Sequence, residues 1–208
     1  MSYKYNFDLY IGEKMIPCRA FTLREYKQIL EAKYNGTLKE KILEVINNCC
    51  DCQGLNKQEM ELLIVKLWAN SMGEVNIEAD WPCDCGKPVR VSLNMNHTQI
   101  TDHDEVYYNF GQFKIKFKYP QIFCDENKAS VISSCIDYII VGNENLKIDD
   151  LTSDEIDDLY NNITLEDVEK IYSALMSPTI YLATPINCEC GKTHIHTIKG
   201  LKEFFKLL

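Results

Sequence analysis

Two stretches of the chain say nearly the same thing: Pro82-Cys83-Asp84-Cys85-Gly86-Lys87 and Asn187-Cys188-Glu189-Cys190-Gly191-Lys192. Each is a C-x-C-G-K knuckle with an acid between its cysteines. Val75-Asn76-Ile77-Glu78-Ala79 leads into the first, and Val89-Arg90-Val91-Ser92-Leu93 leaves it. Thr179-Ile180-Tyr181-Leu182-Ala183 and Thr193-His194-Ile195-His196-Thr197-Ile198 do the same for the second. Alternation in these flanks is the pattern of half-buried strands, so each knuckle is expected at the tip of a zinc-ribbon-like β-hairpin. Structural zinc takes four ligands and one C-x-C supplies two. Cys83, Cys85, Cys188 and Cys190 are therefore expected to close one structural zinc site together. Gly86 and Gly191 can take positive φ and turn amides towards the sulfurs, while Lys87 and Lys192 can offset thiolate charge. Reduced buried thiols, a redox pair, or a site completed by a second chain are the competing readings of the same four cysteines.

If the knuckles come from duplication, other landmarks recur at an offset near the 105 residues that separate Cys83 from Cys188. Tyr5-Asn6-Phe7 is matched by Tyr108-Asn109-Phe110, and each opens a strand-like segment, with Phe7, Leu9 and Ile11 alternating in one and Phe113, Ile115 and Phe117 in the other. A proline follows each, Pro17 or Pro120. Mainly helical stretches are then expected from near Thr22 and near Asp125, where a side-chain oxygen can cap exposed helix amides. Upstream of each knuckle, Asn56-Lys57-Gln58-Glu59 and Thr164-Leu165-Glu166-Asp167 resemble capping boxes. Behind them Met60, Leu63, Ile64, Leu67 and Trp68, and Val168, Ile171, Tyr172 and Leu175, fall at helical spacing and read as core. The expected fold is α+β, with two pseudo-repeats, residues 1–98 and 99–208, each a small β element, a helical layer and a knuckled hairpin, packed about an approximate two-fold.

The chain has 208 residues, 46% of them hydrophobic, enough for a substantial core. Its 31 acidic and 22 basic side chains give a formal charge of -9, which disfavours a phosphate-backbone ligand in the absence of a local basic patch. No run of 18 or more apolar residues occurs and the first residues lack a secretory signal pattern, so a soluble, intracellular protein without a membrane anchor is expected. In a reducing compartment its 10 cysteines point to metal ligands or buried thiols rather than disulfides.

Other groups invite functional readings that their surroundings weaken. His194 and His196 could replace a cysteine ligand, but as alternating strand residues they read as surface or interface positions. Cys49-Cys50-Asp51-Cys52 could form a second metal site, yet it lacks a partner pair in the second half and reads as a helix C-terminus with buried thiols. Cys18 and Cys124 occupy matching places and read as packing residues. The acidic segment from Asp149 to Asp158 reads as a solvated face with a short helix starting at Thr152 or Ser153, since the ligand register of a calcium loop is missing. Asn96 to Glu105 reads as a polar linker. Gly200-Leu201-Lys202-Glu203-Phe204-Phe205-Lys206-Leu207-Leu208 reads as an amphipathic tail that docks on the body or on a partner.

Enzymatic readings find little support. The sequence has no phosphate-binding glycine loop, no G-x-S-x-G elbow, no H-E-x-x-H helix and no deaminase H-x-E with P-C-x-x-C. A zinc closed by four thiolates also leaves no position for an activated water.

The opening Met1-Ser2-Tyr3-Lys4-Tyr5-Asn6-Phe7, the length, the acidic helical body and the paired knuckles together resemble the baseplate hub assembly proteins of T-even-type tailed bacteriophages. The likeness covers the whole chain and brings no catalytic residues with it. It implies a late-expressed, non-enzymatic viral protein that acts in building the central hub of the contractile-tail baseplate, as an assembly factor that shields apolar surface or as a hub component. Its partners would be other hub or tape-measure proteins, and its location the host cytoplasm during assembly or the virion baseplate. Two readings of other classes compete: a zinc-ribbon nucleic-acid-binding adaptor of viral transcription, and a thiol redox enzyme, which needs a cysteine of depressed pKa.

Overall fold

A computed structural model describes residues 5–124 and 127–207. The expected helix start at Asp125, the residues before Tyr5 and Leu208 lie outside the described residues. In chain order the elements are β1 (Asn6–Ile11), β2 (Lys14–Arg19), α1 (Leu23–Asn35), α2 (Leu38–Cys49), α3 (Lys57–Met72), β3 (Asn76–Pro82), β4 (Pro88–Asn94) and β5 (Gln99–Ile100). They continue with β6 (Val106–Asn109), β7 (Lys114–Phe117), α4 (Lys128–Cys135), β8 (Ile136–Val141), β9 (Glu144–Leu146), α5 (Ser153–Asn161), α6 (Leu165–Met176), β10 (Ile180–Asn187), β11 (Thr193–Lys199) and α7 (Leu201–Leu207). The architecture is α+β, with helices packed on several small antiparallel sheets.

These elements form two compact units. The first runs to Thr101 and resumes at Thr179, and the second comprises Asp102–Pro178. The units do not coincide with the stretches 1–98 and 99–208 expected as pseudo-repeats, because the second knuckled hairpin returns to the first unit. That return is fixed by burial and pairing. In β10, Ile180 and Leu182 are buried, and the strand pairs with both β11 and β5. The polar stretch Asn96 to Glu105 expected as a linker is in part structure: Thr98 is buried, β5 pairs with β10, and the unit boundary falls just after β5.

In the first unit α3 is the central element. Asn56 caps it through the Glu59 amide, and Glu59 returns a carboxylate to the Asn56 amide. Seven apolar residues from Met60 to Ala69 are buried, more than the one-sided stripe of a surface helix. Thr22 and Glu25 box the start of α1 in the same way. The C-terminal tail docks on this body: Phe204 of α7 is fully buried, and the Phe205 ring meets Trp68 of α3 edge-on at 5.7 Å. A single buried phenylalanine contributes roughly 2–3 kcal/mol, enough to hold a short helix that could not form alone.

The second unit stacks α4, α5 and α6 on the sheet β6-β7-β8-β9. Ile115, Phe117, Val131, Ile132, Ile139, Ile171 and Leu175 make its core. The Tyr108 hydroxyl donates to Asp167 at 2.6 Å, joining β6 to the N-terminal box of α6. Asp167 is held low, at about 2, first by the Thr164 hydroxyl and then by Tyr108. The stretch expected to be mainly helical is interrupted by the hairpin β8–β9. Ile136, Ile139, Ile140 and Val141 are β-branched, and Gly142-Asn143 makes a two-residue turn between Val141 and Glu144, with Gly142 at φ +61°. The second helical stretch begins after Asn127, whose side chain accepts from the Ala129 amide. Cys124, expected to pack, is exposed.

Candidate metal centre

The two knuckles have the same backbone. In the first, the Cys83 amide donates to the Lys87 carbonyl at 3.0 Å and the Gly86 amide to the Cys83 carbonyl at 2.8 Å. In the second, Cys188 donates to Lys192 at 3.0 Å and Gly191 to Cys188 at 2.9 Å. Gly86 and Gly191 sit at φ +84° and +85°, in the left-handed region that other residues occupy only at a cost. Pro82 opposite Pro88, and Asn187 opposite Thr193, are the last ladder pairs below the tips.

The structure brings all four expected cysteines together, with sulfurs within 4.8 Å of one another. Cys83 lies 3.8 Å from Cys190 and Cys85 lies 3.6 Å from Cys188. Four sulfurs placed tetrahedrally about 2.3 Å from a zinc ion would be about 3.8 Å apart, whereas a disulfide needs about 2.0 Å. The first thiol of each knuckle is buried and the second exposed. The Lys87 amide foremost, then the Cys83 thiol, lowers the Cys85 thiol to about 7. The Cys190 amide pulls Cys188 down, but the Cys190 thiol and burial outweigh it and push Cys188 up to about 12. A metal ion bound here would displace the protons that remain on the four thiols.

The contacts exchange when the knuckles are swapped. Cys83–Cys190 corresponds to Cys188–Cys85, and Lys87 near Glu189 (3.9 Å) corresponds to Lys192 near Asp84 (3.6 Å). Each lysine reaches the acid of the opposite knuckle. These ion pairs are exposed and contribute little by themselves.

Histidines break the exchange. His194 and His196 share the half-buried face of β11, while Ile195 between them is 71% exposed. His194 Nε2 lies 3.6 Å from Cys83 Sγ, within hydrogen-bonding reach of the sulfur. The His196 ring packs on Trp81 at 4.1 Å between centroids, and burial lowers its pKa. The alternation at Thr193-His194-Ile195-His196 was the signal for this shared face; which way it points depends on the opposite hairpin. Among the described residues no other set of three or more His, Cys, Asp or Glu ligand atoms converges on one point. Cys49, Cys50 and Cys52 therefore do not assemble a second centre, although all three are buried as expected.

Fold and site define an α+β protein whose concentrated chemistry is a four-cysteine cluster able to hold a metal ion. Over residues 2–206 the chain matches the model of a family described as T4 bacteriophage base plate protein, and it belongs to that family. A relative from Enterobacteria phage T4, the baseplate hub assembly protein gp26, is 48% identical over 207 residues, covering 99% of this chain and 100% of the relative. No solved structure matches. No helix among the described residues is long and apolar enough to cross a membrane.

Proposed function

We propose that this chain acts, without catalysis, in assembling the phage baseplate hub, by binding other hub or tape-measure proteins, with one structural zinc held by Cys83, Cys85, Cys188 and Cys190. The full-length 48% identity to a baseplate hub assembly protein carries the role. The tetrahedral-edge spacing of the sulfurs supports zinc. The two halves remain, in this reading, products of duplication, and zinc ties their knuckled hairpins tip to tip.

Binding surfaces follow from charge and exposure. The 102–178 unit holds 16 acidic and 6 basic side chains, whereas the remainder holds 15 and 16. The acidic excess is therefore confined to one unit, which suits a basic partner surface and a salt-sensitive rate of association. On the first unit Tyr10 and Met15 stand opposite each other on β1–β2 and are both more than half exposed, a contact patch separate from α7, whose Phe204 is buried. The protein works in the host cytoplasm during assembly and is carried into the virion baseplate if it remains on the hub.

Complementation tests the role. Phage T4 lacking its baseplate hub assembly protein should recover infectious yield when the host supplies this chain. A soluble, expressed chain that restores nothing and captures no hub component in pull-downs would overturn the proposal.

A further inference from the structure

Away from the knuckles, a cleft of about 970 Å³ in the first unit is lined by Asp8, Cys18, Asn47, Cys50 and Cys52 among others. Cys18 in β2 and Cys50, which follows α2, face each other as an isolated antiparallel bridge pair. Residues directly opposed in such a pair have Cα atoms about 4.5–5.5 Å apart, inside the range of about 4.4–6.8 Å that a disulfide needs. Both side chains are thiols, and each donates to a carbonyl nearby, Cys18 to Ile16 at 3.3 Å and Cys50 to Ile46 at 3.4 Å. From this geometry we infer that Cys18 and Cys50 are a dithiol modification site that closes to a disulfide by exchange with a small-molecule disulfide admitted by the cleft.

The step balances. The Cys18 thiolate attacks one sulfur of the small disulfide, which releases one thiol and leaves a mixed disulfide on Cys18. The Cys50 thiolate then attacks the Cys18 sulfur and releases the second thiol. Two protein thiols lose two electrons and two protons, and the small disulfide is reduced to two thiols. Cys18 is suited to attack first, because once it is deprotonated the Cys50 thiol can turn from the Ile46 carbonyl to the Cys18 sulfur, an interaction that lowers the Cys18 pKa. Cys52 is less suited: burial raises its pKa, and its thiol donates to Asn47 Oδ1 at 3.0 Å. The product would tie β2 to the end of α2 and close a loop through both helices α1 and α2.

Zinc-loaded full-length protein incubated with oxidised glutathione tests this, read by intact mass, non-reducing peptide mapping and thermal unfolding. The expected result is a loss of two hydrogens, a Cys18–Cys50 cross-linked peptide, and a Tm raised by roughly 10 °C that dithiothreitol reverses. Cys50→Ser should arrest the reaction with glutathione retained on Cys18, and Cys52→Ser should leave the cross-link intact. Wild-type protein whose Cys18 and Cys50 peptides stay reduced, or whose disulfide maps to another pair, would overturn the assignment without bearing on the zinc centre.

Discussion

The first unit contains two groups of four cysteines, and they are built on opposite plans. Cys83, Cys85, Cys188 and Cys190 come from two hairpin tips, and their side chains converge on one point. Cys18, Cys49, Cys50 and Cys52 come from a strand and a helix end, are all buried, and do not converge, with Cys18, Cys50 and Cys52 each donating to a nearby oxygen. Ligand chemistry therefore follows from how the backbone aims the thiols and not from their number. Two glycines in the left-handed region and two ladder ends do the aiming at the knuckles, while the second group is placed by the packing of α2.

Replacing one member of each group separates the plans most sharply. Cys83→Ser or Cys188→Ser should reduce zinc from one per chain to none by native mass spectrometry, and lower Tm by about 10 °C or more as metal-coupled folding energy is lost. Cys49→Ser should keep the zinc. Equal zinc loss in all three variants would collapse the distinction. Next in size, His194→Ala should weaken zinc binding about 10- to 100-fold in competition with a chelator, with the stoichiometry unchanged, because His194 Nε2 lies within hydrogen-bonding reach of Cys83 Sγ. An unaltered affinity would remove His194 from the centre.

Acid probes the two groups differently. Zinc should leave the knuckles as protons compete for the thiolates. Beside the second group, Arg19 holds Glu25 at about 2, below its ordinary 4.5, by a hydrogen-bonded pair at 2.6 Å. A carboxyl with a depressed folded pKa stabilises fully above its unfolded value, so this contribution, on the order of 2 kcal/mol, is present above about pH 5 and disappears as pH falls towards 2. Glu25→Gln should flatten stability over that window in urea melts made without zinc; an unchanged slope would show the pair to be inert. Smallest of all, Lys87→Ala should shift stability by less than about 1 kcal/mol, since its partner Glu189 is exposed. A larger loss, seen only with zinc present, would give the lysine a role in neutralising the centre.

Signals confined to a few residues were legible in the sequence. The boxes at Asn56 and Thr164 and the cap near Thr22 start helices where expected, the short helix expected at Thr152 or Ser153 is capped by Thr152, and the knuckles sit at hairpin tips. What required a distant partner was not. Nothing local in Ile180 or Leu182 says that β10 will pair with β5 and leave the intervening unit behind. His194 faces Cys83 because of where another hairpin lies, and the exposed position of Cys124 is invisible to a matching offset. The hairpin β8–β9 was readable from Gly142-Asn143, but a helical periodicity assumed across the repeat obscured it.

The junction between β5 and β10 has a practical meaning. The Thr101 amide donates to the Thr179 carbonyl at 2.9 Å, and the Thr179 amide to the Thr101 hydroxyl at 3.0 Å, so the polypeptide leaves and rejoins the first unit at adjacent points. A segment whose two ends are already in contact can be exchanged for a few glycines at little loop-closure cost. The pair Thr101/Thr179 is thus a grafting port: a fluorescent reporter or an affinity tag placed there would ride on the first unit while its two hairpin tips stay adjacent.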